Sequence, residues 1–285
     1  MRIGAHVSTA GGIDRAFERA EAIGAETIQV FGSSPQSWAF KHPPREVIER
    51  FRQRAQETGI GPTFIHGIYL VNLGSPDPGN LEKSVQALVS AMRLAADIGA
   101  AGVIFHAGSH RGAGFEGVFR QTVEAMKRVL AESPPGPWLV VENSAGMGQH
   151  IGSRFEEIGR ILRAIGSPRV KVCLDTQHCF AAGYNLADPQ GIEAAMQEFD
   201  REVGLGQLVA VHANDAKVPL GSGVDRHANI GEGHIGVKGF EVIMGHPAFR
   251  DVPFLLEVPG ADGKGPDAPN VQGLKEIRAR LGVPV

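Results

Sequence analysis

The sequence predicts a single (β/α)8 TIM barrel spanning residues 1–285, and three features predict it. Eight short apolar or β-branched runs alternate with amphipathic stretches of helical period, the pattern of parallel βαβ units. No low-complexity linker or repeat-length period divides the chain. A barrel of this type typically needs roughly 250 residues, and 42% hydrophobic with 21% charged residues is an ordinary composition for a globular domain.

The strands are expected near 2–6 (RIGAH), 26–31 (ETIQVF), 62–66 (PTFIH), 102–106 (GVIFH), 137–142 (PWLVVE), 170–175 (VKVCLD), 207–212 (QLVAVH) and 253–257 (PFLLE). Helical stretches lie between them. Over 80–98, Leu81, Val85, Leu88, Met92 and Ala95 fall three or four apart and form one apolar stripe, with Asn80 as the expected N-cap and Gly99 as the stop. Many of the 38 glycines fall where strands turn into loops or helices end.

No run of about eighteen uncharged apolar residues is present, and the opening MRIGAHVSTAGGIDRAFERAEA lacks the apolar core of a signal peptide. A soluble, cytoplasmic protein without membrane contact is expected. Cys173 and Cys179 match neither a zinc ribbon nor a disulfide framework, so both read as unpaired thiols.

The last residues of the final six strands are His66, His106, Glu142, Asp175, His212 and Glu257. All are potential metal ligands, although His accounts for only 11 and Asp plus Glu for 31 of the 285 residues. Parallel strands of a closed barrel direct their C-terminal ends into one bowl, where barrel active sites lie, so sequence separation is no obstacle to their meeting. Two loops on the same face add His178, in LDTQH, and Asp225 with His227, in VDRH.

Nine ligands exceed what one four-coordinate ion can use and fit two or three ions with positions left open. Imidazole mixed with carboxylate suits Zn²⁺ first, with Mn²⁺ or Fe²⁺ also compatible. The chemistry implied is metal-assisted hydrolysis, with a phosphate ester as the candidate substrate. A formal net charge of -3 does not by itself suggest a nucleic-acid partner. The metal set contains four of the carboxylates, however, so three divalent ions would reverse the overall sign. His6, His110 and His234 are expected around the ligands rather than among them, with Asn143, Asn214 and Lys217 as further supports.

These residues resemble the endonuclease IV family of apurinic/apyrimidinic DNA endonucleases nearly end to end. The resemblance rests on GAHVSTAGG at 4, HGIYLVNLGSP at 66, FHAGSH at 105, VENSAGMG at 141, CLDTQHCFAAGY at 173 and HANDAKVPLGSGVDRHANIGEGHIG at 212. It implies three zinc ions and cleavage of double-stranded DNA 5′ to an abasic site, leaving a 3′-hydroxyl and a 5′-deoxyribose phosphate, together with trimming of blocked 3′ ends. By position, His66 and His106 would hold one ion, and Glu142 would bridge it to a second, held also by Asp175, His212 and Glu257. His178, Asp225 and His227 would take the third. Glu142, which would position the attacking hydroxide, and Glu257 are the expected catalytic residues.

The resemblance also implies that Tyr69 and Leu70 enter the DNA at the lesion, with a monomer as the expected working unit. In SSPQSW at 33–38, Gln36 stands where the family often has Arg, and an amide cannot make a cationic contact. The alternative reading is a divalent-metal sugar isomerase or epimerase on the same barrel, which would need only one or two ions. A catalytically silent module that binds damaged DNA, with zinc kept for structure, fits poorly because structural zinc sites are cysteine-rich.

Overall fold

Eight parallel strands close into a barrel in the computed structural model, which describes residues 1–285. They are β1 (Ile3–His6), β2 (Ile28–Phe31), β3 (Thr63–His66), β4 (Gly102–His106), β5 (Trp138–Glu142), β6 (Val170–Asp175), β7 (Leu208–His212) and β10 (Phe254–Leu256), each hydrogen-bonded to the next, with β1 closing on β10. A short antiparallel pair, β8 (Asp215–Ala216) and β9 (His227–Ala228), stands above the bowl. The helices are α1 (Ala16–Ala22), α2 (Arg45–Thr58), α3 (Pro78–Ile98), α4 (Gly114–Glu132), α5 (Phe155–Ile165), α6 (Thr176–Ala182), α7 (Pro189–Glu202), α8 (Gly236–Gly245) and α9 (Ala268–Arg280). No helix is long and apolar enough to cross a membrane.

All eight expected strands form, with bounds differing from the sequence reading by at most two residues. One difference bears on the site: β10 ends at Leu256, so Glu257 is the first residue beyond its strand rather than the last within it. The cap of α3 also differs. The helix starts at Pro78, and Asp77, not Asn80, caps it by accepting from the Gly79 amide at 2.8 Å. Proline at the first helical position has no amide to leave unsatisfied, which lets the turn start earlier than the apolar stripe suggests. Gly99 ends the helix as expected, at φ 76°.

Side chains alternate in and out along each strand. Phe64, Ile104, Val140, Cys173, Ala210 and Leu255 therefore face the lumen and form a buried cluster of their own, separate from the larger core between barrel and helices. Each lies two residues before one of the six strand-end ligands, so the next layer up is polar. At the seam between β1 and β2, a Cβ on Gly4 would lie 1.7 Å from the Thr27 carbonyl oxygen, which restricts that position to glycine.

The opposite mouth of the barrel is tied by ion pairs. Glu26, just before β2, receives both terminal nitrogens of Arg278 in α9, at 2.6 and 3.0 Å, and lies 3.2 Å from Lys275 Nζ. Burial raises the Glu26 pKa, but Arg278, the Ile3 amide and Lys275 outweigh it and hold the carboxyl at about 2. A carboxyl depressed from 4.5 stabilises the fold fully above pH 4.5, and that contribution is lost as pH falls toward 2. Arg278→Met is expected to cost about 1–2 kcal/mol at pH 7, since the Ile3 amide and Lys275 still hold the carboxylate and solvent screens the pair. In urea titrations the gap from the parent chain should narrow below about pH 4.5; a gap independent of pH would contradict this role for the pair.

Candidate metal centre

The polar layer at the C-terminal mouth has eight members, one per strand: His6, Gln29, His66, His106, Glu142, Asp175, His212 and Glu257. Strand register sets neighbours side by side, His6 with Gln29, His106 with Glu142 and Asp175 with His212. Glu142 sits at the hub, completely buried. Its Oε2 lies 3.2 Å from His66 Nε2 and 3.4 Å from His106 Nε2, and its Oε1 lies 2.9 Å from His212 Nδ1 and 3.2 Å from His178 Nδ1.

Three groups of potential ligands follow, each with its ligand atoms within 4.8 Å of one another. The first is His66, His106 and Glu142. The second is Glu142, Asp175, His212 and Glu257, so Glu142 belongs to both. The third joins His178 and His227 to Asp175. Asp225 stands beside this third group, with one carboxylate oxygen 3.3 Å from His178 Nε2 and the other 3.3 Å from His227 Nε2. All nine residues singled out from the sequence thus share one bowl. Asp175 has a reach the sequence did not suggest, because its Oδ2 also approaches His227 Nε2, at 3.7 Å.

Hydrogen bonds decide which ring nitrogen each histidine offers. His66 Nδ1 donates to the Gly67 carbonyl at 2.7 Å, and His178 Nδ1 to the Asn143 carbonyl at 3.0 Å. Each then has Nε2 as the nitrogen left for a metal, that of His66 lying 3.2 Å from Glu142 Oε2. His178 Nε2 and His227 Nε2 are buried without any hydrogen-bond partner. Unsatisfied buried nitrogens are costly, and a divalent cation is the group that their lone pairs and the adjacent carboxylates fit. The three groups support binding of divalent metal.

The electrostatics agree with a site built for cations. Burial alone would raise the Glu142 pKa, yet His106, His212 and His178 hold it well below the ordinary carboxylate range. Burial opposes charge on His178, but Asp175, Asp225 and Glu142 pull its pKa well up. His106 goes the other way, to about 4, because burial and then the neighbouring His178 and His66 outweigh the attraction of Glu142. Without metal the bowl is a proton-sharing network; a divalent ion and the protons compete for the same lone pairs.

Several supports escaped sequence reading. Gln29 is wholly buried and bonded to both His212 and Glu257, at 2.8 and 2.6 Å. The available signal was a lone amide in the apolar run IQVF. Asp215 is also wholly buried, and its carboxylate accepts from the amides of Ala216, Gly231, Gly233, Ile235 and Gly236 at 2.8–3.2 Å. It fastens the far end of the loop that carries Asp225 and His227. Asn143 and Asn214 act as expected: Asn143 Oδ1 accepts from the Asp175 amide at 2.7 Å, and Asn214 Nδ2 donates to Asp175 Oδ2 at 2.7 Å. Lys217 does not, being exposed, and His234 is likewise exposed at the rim. His110 caps its own loop through Gly112 and Gly114 instead of supporting a ligand.

Tyr69 stands over the bowl with 62% of its surface exposed, edge-on to Phe31 at 5.3 Å and to His66 at 6.1 Å between ring centres. It lines two clefts. One, of about 370 Å³, reaches His106, His178 and Asp225; the other, of about 530 Å³, reaches His6, His227 and Glu257. Leu70 is partly buried in the first. The Tyr69 amide donates to the Pro35 carbonyl at 2.9 Å, which brings the loop of exposed Gln36 alongside.

Residues 17–280 match the family model described as a xylose isomerase-like TIM barrel. "Probable endonuclease 4" of Halothermothrix orenii is 39% identical, over 96% of this chain and 99% of that protein. "Probable endonuclease 4" of Haloarcula marismortui is 38% identical, over 98% and 99% respectively. Among solved structures, endonuclease IV from Thermus thermophilus superposes with a TM-score of 0.84 at 36% identity, covering 99% of each chain. A D-tagatose 3-epimerase-like protein gives a TM-score of 0.72 at 16% identity over 99% of this chain and 97% of that one, a likeness of fold alone.

Replacing Asp215 by Ala strands five amides and is expected to cost at least about 2 kcal/mol. Amide hydrogen exchange should accelerate in residues 217–236 before the barrel strands. Unchanged protection of that loop would show that Asp215 does not hold it.

Proposed function

The chain belongs to the endonuclease IV family, on a xylose isomerase-like TIM barrel, and from that premise we propose that it is a zinc-dependent nuclease cutting DNA 5′ to abasic sites. The observation that carries the proposal is the sharing of Glu142 between two ligand groups, with a third group opening onto the same bowl. Three divalent ions per chain match the nine ligands, five of them imidazoles, which favour zinc. Such ions, when bound, supply Lewis acidity: they bring the pKa of water toward 7 and offset the charge that builds on the phosphodiester.

The chain's own residues supply the geometry around that chemistry. Glu142 holds the two deeper groups in one rigid relation, because both its oxygens are engaged by side chains from β3, β4, β6–α6 and β7. Glu257, at the top of the second group and partly exposed, borders the cleft where substrate approaches. Asp225, with 45% of its side chain exposed, and His227 face the bowl from the loop, so the third group is the most accessible to an incoming phosphate.

Selectivity for an abasic site would come from Tyr69 and Leu70. A missing base lowers the cost of opening the stack, and an exposed ring placed over the site can occupy the space vacated. Gln36 borders this wedge and would hydrogen-bond base edges there without the charge an Arg would bring. Hydrolysis leaves a 3′-hydroxyl and a 5′-deoxyribose phosphate, and the same bowl would accept blocked 3′ ends. As part of this reading the chain works as a cytoplasmic monomer; its two buried, unpaired cysteines agree with a reducing compartment.

The decisive measurement pairs elemental analysis with nicking of a duplex carrying one abasic site, before and after chelation. Two or three metals per chain and nicking that chelation abolishes are expected. Fewer than two metals, or no nicking of the lesion duplex, would transfer the case to a sugar isomerase or epimerase. Glu142→Gln should lower nicking by about 10³-fold or more, and near-normal cutting would refute a bridging Glu142. Tyr69→Ala should raise KM for lesion DNA about tenfold with metal content unchanged, the loss of roughly one stacking contact.

A further inference from the structure

Of the five histidines in the ligand set, four present Nε2 to their neighbours' carboxylates and His212 turns the other way. The Nε2 atoms of His66 and His106 face Glu142, and those of His178 and His227 face Asp225. His212 instead directs Nδ1 inward, 2.9 Å from Glu142 Oε1 and 3.3 Å from Glu257 Oε2, while its Nε2 contacts Gln29 Oε1 at 2.8 Å. We infer that Gln29 is a positioning residue that fixes the His212 tautomer and the Glu257 carboxylate together, so that His212 holds metal through Nδ1. This rests on the metal-centre reading given above and extends it to a residue that touches no ion.

The chain of hydrogen bonds fixes the proton on Nε2 of His212. Glu257 as a carboxylate only accepts, so the amide nitrogen of Gln29 must face it, at 2.6 Å. The amide oxygen must then face His212, and an oxygen only accepts, so His212 Nε2 carries the proton. Nδ1 is then the nitrogen left for a metal, which would take the place of the proton that Nδ1 otherwise donates to Glu142 Oε1 at 2.9 Å. The second proton on the Gln29 nitrogen is directed at His6 Nδ1, 2.9 Å away, and His6 Nδ1 in turn lies 3.7 Å from Glu257 Oε1. Gln29 is fully buried, so no water competes for these positions. One side chain from β2 thus sets ligands at the ends of β7 and β10, on the far side of β1 in the sheet order.

Two measurements test this. In zinc-loaded protein, ¹⁵N spectra of the histidine rings should show His212 protonated at Nε2 and coordinated at Nδ1; coordination at Nε2 would overturn the assignment without any variant being needed. In the second, Gln29→Leu and Gln29→Glu are dialysed against graded chelator and their metal content is followed. Both should release one metal at a chelator strength about 10–100-fold lower than the parent chain does, while the remaining metals stay. Gln29→Glu cannot donate to Glu257 and should be the weaker binder of the two. Metal retention within twofold of the parent in both variants would overturn the positioning role. A parent chain that retains no divalent metal would overturn the centre itself, and this inference with it.

Discussion

Burying Glu142 is the constraint on which the rest of the site depends. A carboxylate removed from water costs several kcal/mol unless opposite charge and hydrogen bonds replace the lost hydration. Here four imidazoles approach its two oxygens within 3.4 Å, and three more carboxylates of the metal set lie in the same bowl. Histidines alone are a poor answer, because each has to take up a proton to help and they repel one another when charged. The low pKa of His106, about 4, shows that repulsion together with burial already defeating one of them. Divalent cations satisfy all the lone pairs at once, which is why the same arrangement that would be strained as a set of ion pairs is coherent as a metal centre.

Strand parity converts that chemical need into a fold. Because side chains alternate, the apolar layer of Phe64, Ile104, Val140, Cys173, Ala210 and Leu255 forms a floor directly beneath the ligands. The floor keeps water from entering from below, and the ligands inherit the rigidity of paired strands. The loops are treated differently according to task. Asp215 clamps the loop bearing Asp225 and His227 through backbone amides, whereas Tyr69 has only edge contacts and a single backbone tie to Pro35. Metal ligands need fixed positions; Tyr69, in its proposed role of entering a duplex, needs freedom to meet it.

The same alternation explains how much of the site could be read beforehand. All eight strands follow from apolar runs, and the seven runs that end in His, Asp or Glu give seven of the eight members of the polar layer. His6 ends a run by the same rule but bonds to Gln29 and Glu257 in the manner of a support, as its place outside the ligand list anticipated. Gln29 was invisible to a search for metal-binding side chains, because its role lies in the two ends of an amide and not in coordination. Asp215 was hidden for another reason: its partners are main-chain amides near 231–236, and these carry no residue-type signal. The Asp77 cap of α3 was displaced from Asn80 for a local reason, the proline that follows it.

The fold by itself does not separate a nuclease from a sugar epimerase, since the barrel superposes on both kinds of protein. The ring of strand-end ligands belongs to the barrel. The third group is different, because three of its residues come from outside the barrel strands: His178 is in α6, His227 in β9, and Asp225 in the loop between β8 and β9. Asp225 and His227 sit on the long loop after β7, held by the internal carboxylate of Asp215, with two imidazole nitrogens of the group buried without partners. The unpartnered nitrogens lower stability unless a cation fills the group. A carbon-acid reaction needs one or two ions, whereas spreading charge over the oxygens of a phosphodiester gives a third ion a use, and under the proposed function the loop-borne third group is what ties this barrel to phosphate chemistry.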